Sequence, residues 1–131
     1  MITYEWRGAF TSTEASVLHA EAFGYQDAAR DWRDQVERHS LGWVCARDSS
    51  ELVGWVNVAW DGGAHAFILD TMVVARMKRQ GIGRRLVAVA VAEARAAGCE
   101  WVHVDFEDHL RSFYLGSCGF APTNAGLIAL R

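Results

Sequence analysis

The chain contains one proline and three cysteines, and its longest uninterrupted apolar run, Leu86 to Ala92, is seven residues. Each scarcity excludes something. Seven residues fall far below the ~20 that a bilayer-spanning helix needs, and the opening Met1-Ile2-Thr3-Tyr4-Glu5 lacks the basic-then-apolar order of an export signal. Cys45, Cys99 and Cys118 are odd in number, far apart and without a Cys-x-x-Cys pair. Neither a disulfide framework nor a zinc knuckle is therefore expected, and free thiols in a reducing cytoplasm are. No glycine period, low-complexity tract or linker interrupts the chain, and 51% apolar content with 22% charge excludes a disordered or collagen-like protein. With ~100–200 residues per domain, the expectation is a single soluble domain over residues 1–131, large enough to bury a core without staples.

The net charge of −3 argues against a general nucleic-acid binder, but the charge is unevenly placed. Arg76, Lys78, Arg79, Arg84 and Arg85 lie between Thr71 and Ala92 with no acid among them, while the rest of the chain carries 8 basic against 16 acidic residues. A basic island in an acidic chain fits a small polyanion bound at one place. It equally fits a solvated loop, and charge alone does not choose.

Periodicity predicts strands at Ile2–Trp6, Trp43–Arg47, Leu52–Trp60, His65–Val74 and Trp101–Phe106. Thr11 and Glu14 have capping-box spacing and open a helix to Phe23, stopped by Gly24. Asp27 is the expected cap of a second helix reaching His39, with Ala28, Trp32 and Val36 on its apolar face. Asp61-Gly62-Gly63 reads as a hairpin turn. A long helix runs from Gly81 to Ala97, and a short one from Asp108 to Leu115. The tail from Gly116 has room for one or two short strands. The order β-α-α-β-β-β-α-β-α-β gives an α/β (in stricter terms α+β) domain, a mixed sheet with helices packed on it.

The chemistry begins at Val73-Val74-Ala75-Arg76-Met77-Lys78-Arg79-Gln80-Gly81-Ile82-Gly83-Arg84-Arg85-Leu86, where a strand enters a basic loop and then a helix opening on Gly-x-Gly. First-turn amides lack intrahelical partners and carry the positive end of the helix dipole, so such a start takes a phosphate. A Walker loop would need Lys-Ser/Thr after its second glycine, where Arg84-Arg85 stand. A dinucleotide loop would need a third glycine, where Leu86 stands.

The segment resembles the acyl-CoA loop of the GNAT superfamily of N-acyltransferases, Arg/Gln-x-x-Gly-x-Gly/Ala. Here it reads Lys78-x-x-Gly81-x-Gly83, with Lys78 in the Arg/Gln place and Ala75 where the family often has proline. Arg111-Ser112-Phe113-Tyr114-Leu115-Gly116-Ser117-Cys118-Gly119-Phe120 resembles the family's Phe-Tyr-x-x-x-Gly-Phe ending, with one extra residue after Tyr114. Glu107 or Asp108 stands where the family often has asparagine.

The resemblance implies a sheet whose central strand pair splays apart, and transfer of an acetyl group from acetyl-CoA to an amine of a small molecule or peptide by direct attack. It implies that Met72, Val73, Val74, Lys78, Arg79, Gln80, Gly81, Ile82, Gly83 and Arg84 hold the cosubstrate. A backbone N–H at Met72 or Val73 would face the thioester oxygen, and Gly83→Val would fill the pyrophosphate's space. By the resemblance Tyr114 matches the family's general acid, and a phenol, protonated at neutral pH, can donate to a departing thiolate; its other reading is a core aromatic beside Phe113 and Phe120.

Three residues are candidates for the base: Asp70, a polar residue in an apolar strand; His65, which starts that strand; and Glu107, which follows the next. A structural hydrogen-bonding role for Asp70 stands beside the catalytic one. The alternation His103, Asp105, Glu107 fits a metal site or, with Asp108, a negative rim favouring a cationic acceptor; the rim is preferred and no metal is expected. A longer acyl group and a non-catalytic acyl-CoA-binding sensor or interaction module are the rival functions. A last strand completed by a partner chain puts a homodimer slightly ahead of a monomer.

Overall fold

The computed structural model describes residues 1–24 and 30–131. A five-stranded sheet runs β1 (Ile2–Trp6), β2 (Ser40–Asp48), β3 (Glu51–Trp60), β4 (His65–Val73) and β5 (Trp101–His103), in that spatial order. The first three pairings are antiparallel and β4/β5 is parallel. Two helices, α1 (Ser12–Phe23) and α2 (Trp32–His39), precede β2, and α3 (Ile82–Ala96) joins β4 to β5.

Successive residues of β3 show how the layers form. A side chain on Gly54 would meet Ile82 and Leu86 of α3 at 3.0 and 3.1 Å, while its neighbour Trp55 packs edge-on to Trp32 of α2 at 5.5 Å. Alternation thus sends one residue to each face, and β3 is buried along most of its length because helices cover both. Gly42 is small for a similar reason: the Trp6 ring occupies the place of its side chain.

Helix α1 carries the complete capping box, Thr11 Oγ1 accepting from Glu14 N–H and Glu14 Oε1 accepting from Thr11 N–H, and ends on left-handed Gly24. The cap expected at Asp27, and Ala28 with it, lies outside the described residues. Asp31 caps α2, and its carboxylate accepts from Asp34 N–H at 3.1 Å.

Three expectations need correction. The strand expected to reach Phe106 ends at His103, because β4 and β5 pair only over His65–Trp101, Ala66–Val102 and Phe67–His103 before parting. A strand without a ladder partner does not persist. The helix expected over Asp108–Leu115 is a 3₁₀ turn, Asp108–Leu110, followed by a π-helix, Ser112–Ser117. The tail carries no strand among the described residues: positions 121–131 are exposed throughout.

Candidate active site

The early end of the β4/β5 ladder creates the site. From Ile68 onward β4 keeps β3 on one side and has no pairing with β5 on the other, which is the expected splay. A bulge falls in that stretch: Asn57 opposes Leu69 and Trp55 opposes Met72, so Asp70 and Thr71 together face Val56. Within this bulge Asp70 has a positive φ of 56°. Past the bulge, Val74 N–H donates to Val53 O of β3 at 2.9 Å. Strand amides alternate sides, so Val73 N–H points away from β3 into the open wedge, and Met72 N–H points toward β3. Met72's side chain is fully buried in the core.

Asp70 and Tyr114 approach this stretch of β4. Tyr114 O–H donates to Thr71 Oγ1 at 3.1 Å, and its ring lies between Phe106, stacked at 5.1 Å, and Phe113, edge-on at 4.8 Å. Burial pushes the phenol's pKa up, partly offset by the Thr71 contact, so the proton is held more firmly than in water. Asp70 meets Arg30, with 3.4 Å between Oδ2 and Nη2, and Arg30 lies over the Trp32 ring at 3.5 Å. Burial raises the Asp70 pKa above the usual carboxylate value, against the pull of Arg30 and His19.

That direction makes a stability prediction. A carboxyl whose folded-state pKa is raised favours folding below its unfolded value, and this contribution is lost as pH rises through the folded value. Asp70→Asn, which cannot ionise, is therefore expected to gain stability relative to the parent as pH rises from the ordinary carboxylate value through the raised Asp70 value. Denaturant titration of both proteins at each pH checks this. A difference independent of pH would show that Arg30 offsets burial in full.

The other two base candidates are placed differently. His65 begins β4, six residues before Thr71, or roughly 20 Å at strand rise. Its Nδ1 lies 2.6 Å from His103 Nε2, and Phe67 stacks on His103 at 4.7 Å. Glu107 is exposed, 3.5 Å from His109 Nδ1, and adjacent in sequence to the Phe106 ring that stacks on Tyr114. Asp105 and Glu107 lie beyond the end of β5, and His103 is engaged by His65. Among the described residues no group of three or more His, Cys, Asp or Glu is placed to hold a metal ion.

The loop after β4 makes a 3₁₀ turn, Ala75–Met77, before Gly81 starts α3 in the left-handed conformation, φ 84°. No side chain caps this helix, and nothing lies within 4 Å of where a Gly81 side chain would begin. Arg79 also has positive φ, 65°. Ile82 and Val74 are buried, and Lys78, Arg79, Gln80 and Arg84 are exposed. Arg76 is tied to Glu51 at 2.7 Å and Arg85 lies over the Tyr4 ring. Among the described residues Lys78, Arg79 and Arg84 form no salt bridge. An uncapped helix start, an open glycine and three cations not engaged in salt bridges fit a pyrophosphate.

Gly83 is a correction of reason. A side chain there would meet Phe113 Cζ at 3.2 Å and Phe113 Cε1 at 3.4 Å. Its smallness serves the packing of α3 against the ring beside Tyr114. The π-helix explains the extra residue after Tyr114: Cys118 N–H reaches Phe113 O at 2.9 Å, a wider turn that takes up one more residue.

Sequence reasoning missed Thr71 and Arg30, and the contact between Phe113 and Gly83. Thr71 had a signal, being polar beside Asp70. Arg30 and the pairing of Phe113 with Gly83 had none, because the partners are 40 residues apart in the first case and 30 in the second.

A family model described as the acetyltransferase (GNAT) family matches residues 3–120. The chain belongs to this family, and it is an acetyl-CoA-dependent N-acetyltransferase. Among solved structures it is similar to a GNAT-family acetyltransferase from Streptococcus pneumoniae, with 25% identity, 100% of each chain covered and a TM-score of 0.78. It shares its fold with glucosamine-6-phosphate N-acetyltransferase from Arabidopsis thaliana, at 14% identity, 97% of each chain and TM-score 0.75. It also shares its fold with an aminoglycoside acetyltransferase from an uncultured soil metagenomic sample, solved with sisomicin: 16% identity, 99% of this chain and 95% of that one, TM-score 0.79. No curated protein matches the chain.

Proposed function

We propose that this enzyme acetylates a primary amine of a small molecule or peptide by direct attack, with Tyr114 as the general acid and Asp70 as the general base. The observation that carries the proposal is the placing of Asp70 and of Tyr114, through Thr71, on one bulge of β4 where the strand leaves β5. Acetyl-CoA supplies the activated acetyl group. The first-turn amides of α3 at Ile82, Gly83 and Arg84, with Gln80, Gly81 and the charges of Lys78 and Arg79, hold its pyrophosphate. Val73 N–H donates to the thioester carbonyl oxygen; Met72 supports this from the core, and Val74 fixes the strand end.

Asp70 takes a proton from the acceptor's ammonium, directly or through water, and its raised pKa brings it closer to neutral pH. Tyr114 O–H leaves Thr71 to hold the proton against the departing sulfur. The exposed acids Asp105, Glu107 and Asp108, beside Phe106, favour a cationic acceptor at low ionic strength. Two neighbours of the fold have names that include an amino-sugar phosphate and aminoglycosides, which supports an amine as the nucleophile.

The test is free-thiol release from acetyl-CoA across a panel of amines, preceded by a melting experiment. Acetyl-CoA at ~100 times its dissociation constant adds about 2.7 kcal/mol and is expected to raise the melting temperature by several degrees, with ATP and NAD far behind. Equal shifts with ATP would reduce the loop to a general polyanion site.

A further inference from the structure

Strand β4 shows water two large apolar side chains on a face that is buried elsewhere in the sheet. Trp55 of β3 and Met72 of β4 oppose each other on that face and are fully buried, Trp55 against Trp32 of α2. Leu69 opposes Asn57 and Phe67 opposes Ala59, two and four residues on from Trp55, so by alternation they share its face. Yet Phe67 is 36% and Leu69 38% exposed. Ala59 is too small to cover the ring opposite it.

The strip continues across β5. Phe67 stacks on His103 at 4.7 Å, and His103 Nε2 lies 2.6 Å from His65 Nδ1, so the two imidazoles spend their facing nitrogens on each other. Trp101, two residues before His103 and in register with His65, extends the strip and is 65% exposed. Inward, the strip ends at Asp70, the residue after Leu69. Its carboxylate reaches Arg30, just ahead of α2, and so lies on the same face. Single exposed apolar residues are ordinary; an adjoining row of them that leads to a charged group marks a binding place.

We infer that this strip holds the body of the acceptor, and that the acceptor is a primary amine joined by a short chain to an aromatic ring, the ring lying on Phe67 and Leu69. The inference rests on the roles given above to Asp70 and Tyr114. Charge and reach both favour such an occupant. Asp70, with the exposed Asp105 and Glu107 that follow His103, draws an ammonium to the inner end. Phe67 stands three residues before Asp70, roughly 10 Å at strand rise, so ring and nitrogen are a few bonds apart. An amino sugar fits poorly, because its hydroxyls would lose water against Phe67 and Leu69, which carry no hydrogen-bonding group. An aromatic ring gains instead: its apolar area leaves water, and it meets Phe67 in the offset or edge-on geometries that rings prefer. The transfer itself balances as before. Nitrogen bonds to the acetyl carbon as the carbon–sulfur bond breaks, the ammonium proton passes to Asp70 and the Tyr114 proton to sulfur, and the products are the N-acetylated amine and CoA.

Phenylethylamine and ethanolamine share an aminoethyl group and differ in phenyl against hydroxyl. At saturating acetyl-CoA, kcat/KM for phenylethylamine is expected to exceed that for ethanolamine and for glucosamine by about tenfold or more. Phe67→Ser is expected to remove about tenfold of that preference, through KM with kcat little changed, and Phe67→Trp to keep it. Leu69→Asn, close in volume and at a part-exposed position, gives the same reading should the serine variant not fold. Isothermal titration of phenylethylamine into the protein with CoA reads binding without the reaction. Binding that Phe67→Ser weakens, with no amine acetylated, supports the strip and overturns the roles of Asp70 and Tyr114. Acetylation of ethanolamine or glucosamine as efficient as that of phenylethylamine overturns the strip and leaves those roles standing. So does a preference for the ring that both Phe67→Ser and Leu69→Asn leave intact. Absence of phenylethylamine binding also overturns it, and a solution mass of twice 14.5 kDa would then point to a second copy as the cover of this face.

Discussion

Replacing Tyr114 with phenylalanine is expected to lower the rate of single-turnover acetyl transfer by roughly 10²-fold at saturating acetyl-CoA, while cosubstrate affinity stays within a few-fold. The substitution removes one hydroxyl and keeps the ring between Phe106 and Phe113. If that hydroxyl protonates the departing sulfur, the lost interaction belongs to the transition state and appears in the rate. General acids contribute ~10²–10⁴-fold, and the lower end applies because a CoA thiolate is a moderate leaving group. The hydrogen bond to Thr71 disappears as well, costing about 1 kcal/mol and a few degrees of melting temperature. A near-normal rate in the folded variant would return Tyr114 to the core as a packing residue and leave the cosubstrate loop untouched.

The second large effect separates the two glycines of the loop. Gly81→Val is expected to weaken acetyl-CoA binding at least tenfold. A β-branched residue is forced into φ 84°, at roughly 1–2 kcal/mol, and its side chain projects into the open space at the helix start. Gly83→Val is expected to act through stability and rate instead, since its side chain collides with Phe113 at 3.2 Å and shifts the ring beside Tyr114. Isothermal titration with acetyl-CoA and a denaturation curve for each variant distinguish them. Unchanged affinity in a folded Gly81→Val protein would remove the loop from the binding site.

What could be read in advance follows the range of the interaction involved. The capping box of α1, the glycine that opens α3 and the segment around Tyr114 are local patterns, in which residues a few positions apart specify the backbone. The strands were legible by alternation, apart from their ends. β5 stops at His103 because of where β4 goes, and nothing in Val104 to Phe106 reports that divergence. Asp70 could be picked out as polar in an apolar strand. Its left-handed backbone and its Arg30 partner depend on the register against β3 and on packing across the sheet. The tail was expected to have room for one or two short strands, yet a strand needs an edge, and the edge is a property of the assembled sheet.

The wide turn at Ser112–Ser117 has a consequence for how such a chain can change over generations. Chain length and position are decoupled there: a residue has been taken up while Phe113 N-terminally and Gly119 C-terminally keep their places in the pattern. A stretch that stores a spare residue in its winding lets the segment beyond it drift in length, and even be remodelled, without dragging the tyrosine off its threonine. Variation beyond Phe120 is thereby insulated from the fixed geometry at the wedge.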